Sequence, residues 1–190
     1  MTMNMNNDNK TLYTLLVYSE NIAGILNQIT AVFTRRQVNI ESLNVSASSI
    51  EGVHKYTITA WSDADQIEKI TRQIEKKIDV VKAKFYTDDQ LFIRETGLYK
   101  LSTQPVLENP EVSRIIRRYD AKITEVNPTY VAVMKSGKTE DIVAMYLALN
   151  EFGCVLQYTR SGRIAITRST EEEVSAFLEQ QEKENQNGKS

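Results

Sequence analysis

The chain has 190 residues, of which 41% are hydrophobic and 25% charged, so it is long enough for one large or two small globular domains. Its net charge is -2 and its lysines and arginines are spread along the sequence, which argues against a nucleic-acid partner. No apolar run approaches the roughly 18 residues that a membrane-spanning helix needs, and residues 1–10 lack the apolar region of a secretory signal.

The cysteine content agrees with a reducing compartment. Cys154 is the only cysteine in the sequence, so no internal disulfide can form. Its neighbours, EFG and VLQY, favour a small buried thiol over a reactive one. We therefore expect a cytoplasmic protein that makes no contact with a membrane.

The first half of the chain begins with a predicted strand, helix and strand. Leu12 to Ser19 is rich in leucine, tyrosine and valine and indicates a strand. Apolar residues then recur at helical spacing and predict a helix packed on a sheet: Ile22, Ile25, Leu26, Ile29, Val32 and Phe33. Residues 38–48 alternate apolar and polar side chains with one slip of phase between Ile40 and Leu43, which indicates a strand with a bulge.

A hairpin, a second helix and a fourth strand complete this half. SSIEG predicts the hairpin loop, VHKYTITAW the third strand and VVKAKFYT the fourth. The helix is expected from about Asp63, whose carboxylate suits a helix N-terminus. Its predicted buried face comprises Ile67, Ile70, Ile74 and Ile78. The order strand, helix, strand, strand, helix, strand is that of a ferredoxin-like domain, an antiparallel sheet with two helices on one face.

The second half repeats this order in degenerate form. LFIRETGLYKLS predicts a strand that ETG interrupts, and NPEVSRIIRRYDA predicts a helix with Pro110 in its first turn. KITEVNPTYVAVMKSG predicts two strands, KTEDIVAMYLALNEFG a helix that Gly153 ends, and VLQYTRSGRIAITRS two short strands. The apolar side of that helix is predicted to comprise Ile142, Val143, Tyr146, Leu147 and Leu149.

The predicted fold is therefore α+β, with two ferredoxin-like domains in tandem at residues 11–86 and 90–170. The polar stretch TDDQ, residues 87–90, marks the join. A short helix is expected through Val174, Phe177 and Leu178. Residues 1–10, which are polar apart from Met1, Met3 and Met5, and residues 181–190, which contain no apolar side chain, are expected to be disordered.

The sequence lacks the residues of a familiar catalytic site. His54 is the only histidine and Cys154 has no reactive surroundings, so neither a Cys-His pair nor a Ser-His-Asp triad is expected. One histidine and one cysteine are also too few for a zinc site. An exposed or half-exposed position in a strand is the expected setting of His54. No GxxxxGK[ST] or GxGxxG run is present. The acidic stretches SDAD and TDDQ suit helix caps and solvated turns better than a cation site.

The stretch NIAGIL, residues 21–26, joins the first strand to the first helix. A helix N-terminus presents free backbone N–H groups that favour anions, and Gly24 would let a ligand carboxylate approach them. Asn21 could donate and accept hydrogen bonds beside it, so a free amino acid would suit the lining. The alternative is that Asn21 caps the helix and Gly24 permits tight packing. Asn39, in the second strand, is expected near the same end of the sheet and indicates a hydrogen-bonding role, although a structural amide would also explain it.

Two longer stretches carry a resemblance to a known family. LLVYSENIAGILNQITAVFTRRQVNIESLNV closely resembles the N-terminal ACT domain of the regulatory (small) subunit of acetohydroxyacid synthase, also called acetolactate synthase. ITEVNPTYVAVMKSGKTEDIVAMYLAL and YTRSGRIAITR resemble the second domain of that subunit. The family commonly has a glycine two residues before the asparagine of NIESL, where this chain has Gln37. We expect Gln37 to end the helix without a left-handed turn, at some conformational cost.

The resemblance implies a non-catalytic regulatory subunit. It implies that the chain activates a catalytic subunit and transmits inhibition by a branched-chain amino acid, valine first among them. In the family, ACT domains pair as homodimers and the effector binds at their interface. Carried over by position, the implied effector residues are Asn21, Ala23, Gly24, Ile25, Asn39 and Ile40. The chain itself is expected to bind no cofactor or metal; thiamine diphosphate, magnesium and FAD are expected on the catalytic subunit.

Two other functions remain open at this point. A free-standing ACT-domain sensor could regulate another enzyme or a transcription factor, although the resemblance of the second domain argues against it. A small enzyme on a ferredoxin-like fold would need a catalytic residue that the sequence does not supply.

Overall fold

The computed structural model of the chain describes residues 10–170, which fall into two units. The first unit comprises the residues up to Phe92 together with those from Ala165, and the second is Ile93–Ile164. Residues 165–170, predicted as the end of the second domain, therefore group with the first unit. The expectations for residues 1–9 and for the tail after residue 170 lie outside the described residues. No helix within residues 10–170 is long and apolar enough to cross a membrane.

The first unit has the predicted ferredoxin-like order. Its elements are β1 Thr11–Glu20, α1 Ile25–Arg35, β2 Ile40–Ala47, β3 Val53–Ser62, α2 Ala64–Glu75 and β4 Val80–Tyr86. The strands form an antiparallel sheet in the order β2-β3-β1-β4. Alternate side chains of β1 and β3, such as Leu15, Val17 and Ile58, form one buried core with the inner faces of both helices. The apolar patterns therefore predicted this fold correctly.

The predicted bulge and hairpin are confirmed in β2 and the loop that follows it. The register between β2 and β3 shifts between Ile40 and Ser42, where the apolar alternation of the sequence slips. After Ala47, the Ser48 amide donates to the Val53 carbonyl at 2.9 Å and closes the turn to β3. β2 therefore forms one edge of the sheet, with β3 as its partner strand among the described residues.

The helix ends show two departures from the predicted apolar stripes. Asp63 caps α2 by accepting a 2.8 Å hydrogen bond from the Gln66 amide, as predicted, but the helix ends at Glu75. Ile78 was predicted on its buried face, but it lies in the turn to β4 and is 99% exposed. Ile22 precedes α1 rather than belonging to it and is 41% exposed.

Gln37 adopts the left-handed conformation that it was expected to avoid. Its φ is 54°, the Gln37 amide donates to the Thr34 carbonyl and the Val38 amide donates to the Phe33 carbonyl. This pair of bonds is the Schellman motif, which usually places glycine at the left-handed position. The expectation was wrong because the two hydrogen bonds satisfy carbonyls that the helix end leaves free, which offsets the steric cost of about 1–2 kcal/mol.

The second unit repeats the topology, as predicted. The remaining α-helices and strands within residues 10–170 are β5 Leu91–Ser102, α3 Thr103–Glu108, α4 Pro110–Arg118, β6 Lys122–Val126, β7 Tyr130–Gly137, α5 Thr139–Asn150, β8 Val155–Arg160 and β9 Ile164–Thr167. The sheet order is β6-β7-β5-β8, and β9 pairs with β5. The short helix α3 was not predicted, and β5 runs through ETG without interruption.

The buried face of α5 differs in part from the prediction. Ile142 and Leu149 are fully buried as expected, but Met145 is the third buried residue of the helix. Leu147 was predicted on this face and is 55% exposed. Met145 lies three residues after Ile142 and four before Leu149, so these three residues form the helical stripe that contacts the sheet.

A buried polar and aromatic cluster joins α5 to its sheet. The Glu95 carboxylate, 3% exposed as a residue, lies 3.3 Å from the Arg160 guanidinium. The Tyr99 hydroxyl donates to the Ile142 carbonyl at 2.7 Å. A Cβ at Gly97 would lie 2.6 Å from Ile142, so only glycine allows this approach of helix and strand. Burial, and next the neighbouring Tyr158, raises the pKa of Tyr99 above its usual value.

Candidate functional site

The junction between β1 and α1 lies among three loops at one end of the first sheet. Residues 21–24 are all exposed. The Asn21 amide donates to the Gly52 carbonyl of the β2–β3 turn at 3.0 Å, and the Glu20 amide donates to the Asp79 carbonyl before β4 at 3.0 Å. The backbone of the junction is therefore fixed on both sides while its side chains remain open to solvent.

Gly24 is the N-cap residue of α1 and has a φ of 90°, in the region that favours glycine. A Cβ added to Gly24 would meet no atom within 4 Å, so tight packing does not explain the glycine. No side chain caps the helix, and its first turn contains no acidic residue. The first N–H groups of α1 therefore have no side-chain acceptor and no intrahelical one, which is the arrangement that binds an anion.

The other junction residues have different settings. Asn21 does not cap α1, so that structural alternative is also wrong. Both Asn21 and Ala23 are exposed. Ile25 is 2% exposed and its side chain belongs to the core of the first unit. Of Ile25, only the backbone N–H at the first helical position is available for binding.

Asn39 does not lie near the junction of its own chain. Ile40 pairs with Ala60, which pairs with Tyr13 near the start of β1, whereas Gly24 follows the end of β1 at Glu20. The seven residue steps from Tyr13 to Glu20 span about 23 Å at roughly 3.3 Å per residue. The expectation that Asn39 and Asn21 share one end of the sheet was wrong within one chain, because β2 runs parallel to β1 with β3 between them.

Two exposed aliphatic side chains of the first unit, Leu26 and Val45, were not predicted as site residues from the sequence. Leu26, in the first turn of α1, was predicted to be buried and is 41% exposed. Val45, on the edge strand β2, is 38% exposed although it points to the helix side of the sheet, as its pairing with Tyr56 indicates. The helical and alternating patterns show which face of each element is apolar. They do not show that side chains at the edge strand β2, such as Val45, stay partly exposed on that face.

The reactive side chains found in the sequence are placed away from any catalytic arrangement. Cys154 is fully buried, its thiol lies 3.3 Å from the Leu149 carbonyl, and burial raises the pKa of this thiol above its ordinary value. His54 is half-buried in β3, as predicted. Within residues 10–170, no group of three or more histidine, cysteine, aspartate or glutamate side chains is arranged to hold a metal ion.

Comparison with known proteins places both halves of the chain in one family. Residues 15–82 match the family model described as the AHAS small subunit-like ACT domain. Residues 94–169 match the model of the small subunit of acetolactate synthase. The acetolactate synthase small subunit of Bacillus subtilis is 31% identical over 168 residues, which cover 88% of this chain and 95% of that protein. The chain belongs to the family of acetolactate synthase small subunits.

Further relatives agree with this membership. The probable acetolactate synthase small subunit of Methanothermobacter thermautotrophicus is 30% identical over 80% of this chain and 89% of its own length. The crystal structure of the acetolactate synthase small subunit from Thermotoga maritima superposes with a TM-score of 0.75, at 23% identity, over 84% of this chain and 99% of that one. The superposition shows the same fold.

Family membership settles the broad class of function. The chain is a small, regulatory subunit of acetolactate synthase with an N-terminal ACT domain, and a small subunit associates with a large one. The free-standing sensor is thereby excluded, because the second half of the chain matches the acetolactate synthase small subunit as well.

Proposed function

We propose that this small subunit activates the catalytic subunit of acetolactate synthase and transmits feedback inhibition by a branched-chain amino acid, with valine as the effector. The observation that carries the proposal is the uncapped N-terminus of α1 at Gly24, in the ACT domain of a family member. The first domain, residues 11–86, binds the effector. The second domain, residues 90–170, makes the contacts of the regulatory subunit that do not involve the effector.

The effector site is formed by two copies of the chain. If the free edges of two β2 strands pair antiparallel about a twofold axis, Ile40 of each copy comes to the level of Ala47 of the other. Ala47 pairs with His54, next to Val53, which is the partner of Glu20 at the end of β1. Asn39 of the second copy then lies at the end of the sheet where Gly24 of the first copy begins α1. The dimer brings together residues that one chain holds about 23 Å apart.

The composition of the β2 edge supports this pairing. β2 contains no proline and only one charged residue, Glu41, so antiparallel pairing about its centre sets Glu41 opposite Ser46 and opposes no like charges. The exposed Val45 and Leu26 provide apolar surface that a second copy can cover. A free edge of eight residues is otherwise a site for unwanted association.

Each part of an amino-acid effector has a suitable partner in this site. The carboxylate is bound by the free N–H groups at the start of α1, including that of Ile25. The ammonium group donates to the amide oxygens of Asn21 and of Asn39 from the second copy. The aliphatic side chain contacts Ala23 and Ile40 of the second copy. A branched-chain amino acid fits this lining better than a charged one, because neither Ala23 nor Ile40 can pair with a charge.

The remaining parts of the proposal follow the family resemblance. The chain binds no cofactor, and thiamine diphosphate, magnesium and FAD belong to the catalytic subunit. The holoenzyme acts in the cytoplasm.

Reconstitution with the cognate catalytic subunit tests the proposed function. The purified chain alone is expected to form no acetolactate from pyruvate, because it lacks a catalytic group. Added to the catalytic subunit, it should raise the rate of acetolactate formation, and valine should then lower that rate in the mixture but not in the catalytic subunit alone. Turnover by the isolated chain, or no effect of the chain on the catalytic subunit, would contradict the proposal.

A further inference from the structure

The strand β6 of the second unit is an exposed edge. It comprises Lys122–Val126, and all five residues are exposed. Its strand partner among the described residues is β7, which leaves the other side of β6 without a neighbouring strand. Two of its side chains are aliphatic: Ile123 is 50% exposed and Val126 is 60% exposed. An edge with unpaired backbone groups and exposed aliphatic side chains can accept a further strand.

A bulge places the charged side chains of β6 on one face of the sheet and its aliphatic side chains on the other. The register against β7 shifts between Ile123 and Glu125, so that Thr124 has no partner of its own. Without a shift, residues three positions apart would lie on opposite faces of the sheet. With the shift, the charged residues Lys122 and Glu125 lie opposite Met134 and Ala132 on the open face of the sheet.

The same shift places the two aliphatic residues of β6 on the helix side of the sheet. Ile123 and Val126 lie opposite Val133 and Val131, which are buried in the core of the second unit. The helix side of β6 is therefore aliphatic and the open side carries one positive and one negative charge.

This arrangement is complementary to itself. We propose that β6 is an interface between two copies of the chain, paired antiparallel with Ile123 on the twofold axis. In that register Lys122 of each copy lies opposite Glu125 of the other, on the same face of the joint sheet. A shift by two residues would set Glu125 opposite Glu125 of the other copy, which like-charge repulsion disfavours. The charges therefore select one register.

The Glu125 carboxylate is already positioned for this contact. It accepts hydrogen bonds from the Tyr130 hydroxyl at 2.7 Å and from the Asn127 amide at 3.3 Å, both through Oε1. Lys122 makes no ion pair with any residue that the structure describes. The interface belongs to the second unit and does not depend on the effector site of the first.

Disulfide formation in the full-length chain tests the interface and its register. In the proposed pairing the Cβ atoms at position 123 of the two copies are about 4.5–5.5 Å apart, close to the separation that a disulfide needs. The Ile123→Cys variant should form a covalent dimer under mild oxidation. Val126→Cys is the matched control, because it is an equally exposed aliphatic position on the same face, but its copies would be roughly 13 Å apart along the strands. Cys154 is fully buried and stays in both variants.

The expected result is that Ile123→Cys crosslinks at least roughly tenfold faster than Val126→Cys, because paired thiols react at a high effective concentration. Adding Lys122→Glu to the Ile123→Cys variant should slow crosslinking by roughly tenfold, because it opposes two pairs of like charges. Adding Lys122→Glu together with Glu125→Lys should restore the rate, since the charges are then complementary again.

Equal crosslinking rates for Ile123→Cys and Val126→Cys would overturn the proposal. It would also be overturned if the thiol in Ile123→Cys reacted freely in the isolated chain and became protected only on addition of the catalytic subunit. That outcome would assign β6 to the catalytic subunit rather than to a second copy.

Discussion

Replacing Gly24 with aspartate is expected to weaken valine binding by roughly 10- to 100-fold while the chain still folds. At an effective dielectric of 20, two carboxylates 4 Å apart repel each other by about 4 kcal/mol. Residues 21–24 are exposed, so salt screening removes part of this repulsion. A Cβ at position 24 would meet no atom within 4 Å, and the position is exposed, so we expect the core to remain intact.

Gly24→Asn is the matched control for this variant. Any side chain at position 24 has to adopt a φ of 90°, which costs about 1–2 kcal/mol for residues other than glycine. Asparagine and aspartate share this cost, and asparagine tolerates the left-handed region well. The two variants have nearly the same shape and differ in charge, so the difference in valine affinity between them measures the repulsion of the ligand carboxylate.

Calorimetry with valine, leucine and isoleucine on the wild type and both variants measures this difference. Activation of the catalytic subunit by both variants should remain, because the lost contacts belong to the effector. If Gly24→Asp binds valine as tightly as Gly24→Asn does, no carboxylate binds at the start of α1. Gly24 is then required only for its backbone conformation.

Removal of the Arg160 guanidinium is expected to destabilise the second unit by about 3 kcal/mol. The Glu95 side chain is only 2% exposed and Arg160 lies 3.3 Å from it, so Arg160→Ala leaves a buried carboxylate without a cation. Breaking a buried pair in this way typically costs about 3–5 kcal/mol. We expect the lower end, because the Arg160 side chain is 28% exposed and water can replace part of the contact.

The double variant Glu95→Gln with Arg160→Ala is the control, because it leaves no buried charge and should be more stable than Arg160→Ala alone. Hydrogen exchange measures the effect in each unit: amides of residues 93–164 should exchange faster in Arg160→Ala than in the wild type. Trp61, the only tryptophan, lies in the first unit and its fluorescence should report an unchanged unfolding transition. A double variant as unstable as the single one would show that the charge of Glu95 is not the cause.

The topology could be predicted because each strand and helix has its own apolar period. The order of strands and helices could be predicted from alternation in β1 and β3 and from isoleucines at helical spacing in α2. That order of elements is characteristic of the ferredoxin-like sheet. Even the bulge in β2 was visible, because an inserted residue shifts the phase of the alternation at Ile40. These features are local along the chain.

Other features depend on contacts that a local pattern does not contain. Ile78 continues the helical spacing of Ile67, Ile70 and Ile74, yet the chain turns after Glu75 to return to the sheet. Backbone hydrogen bonds in that turn, from the Lys77 amide to Ile74 and from the Val80 amide to Lys77, replace those of a longer helix.

The position of Asn39 shows a different limit. Asn39 was predicted in the second strand and lies just before it, since β2 begins at Ile40. Its distance to the junction depends on which strand lies between β1 and β2. Because β3 lies between them and β2 is parallel to β1, the candidate residues fall at opposite ends of one sheet. A site that includes residues from both ends of this sheet needs a second copy of the chain. The pattern of apolar and polar residues along one chain does not show how two copies pair.

A mixed dimer tests most directly whether the effector site is shared between two copies. Asn39→Ala alone should weaken valine binding by roughly 1–3 kcal/mol, for the hydrogen bonds lost. Chains carrying Gly24→Asp and chains carrying Asn39→Ala, produced together with different affinity tags and purified on both, form dimers with one chain of each kind. If Gly24 of one chain and Asn39 of the other line each site, one site of the mixed dimer has both defects and the other has none. Calorimetry should then detect one site per mixed dimer with wild-type affinity for valine, although neither parent dimer has such a site. A mixed dimer in which both sites bind as weakly as those of the parents would contradict a shared site.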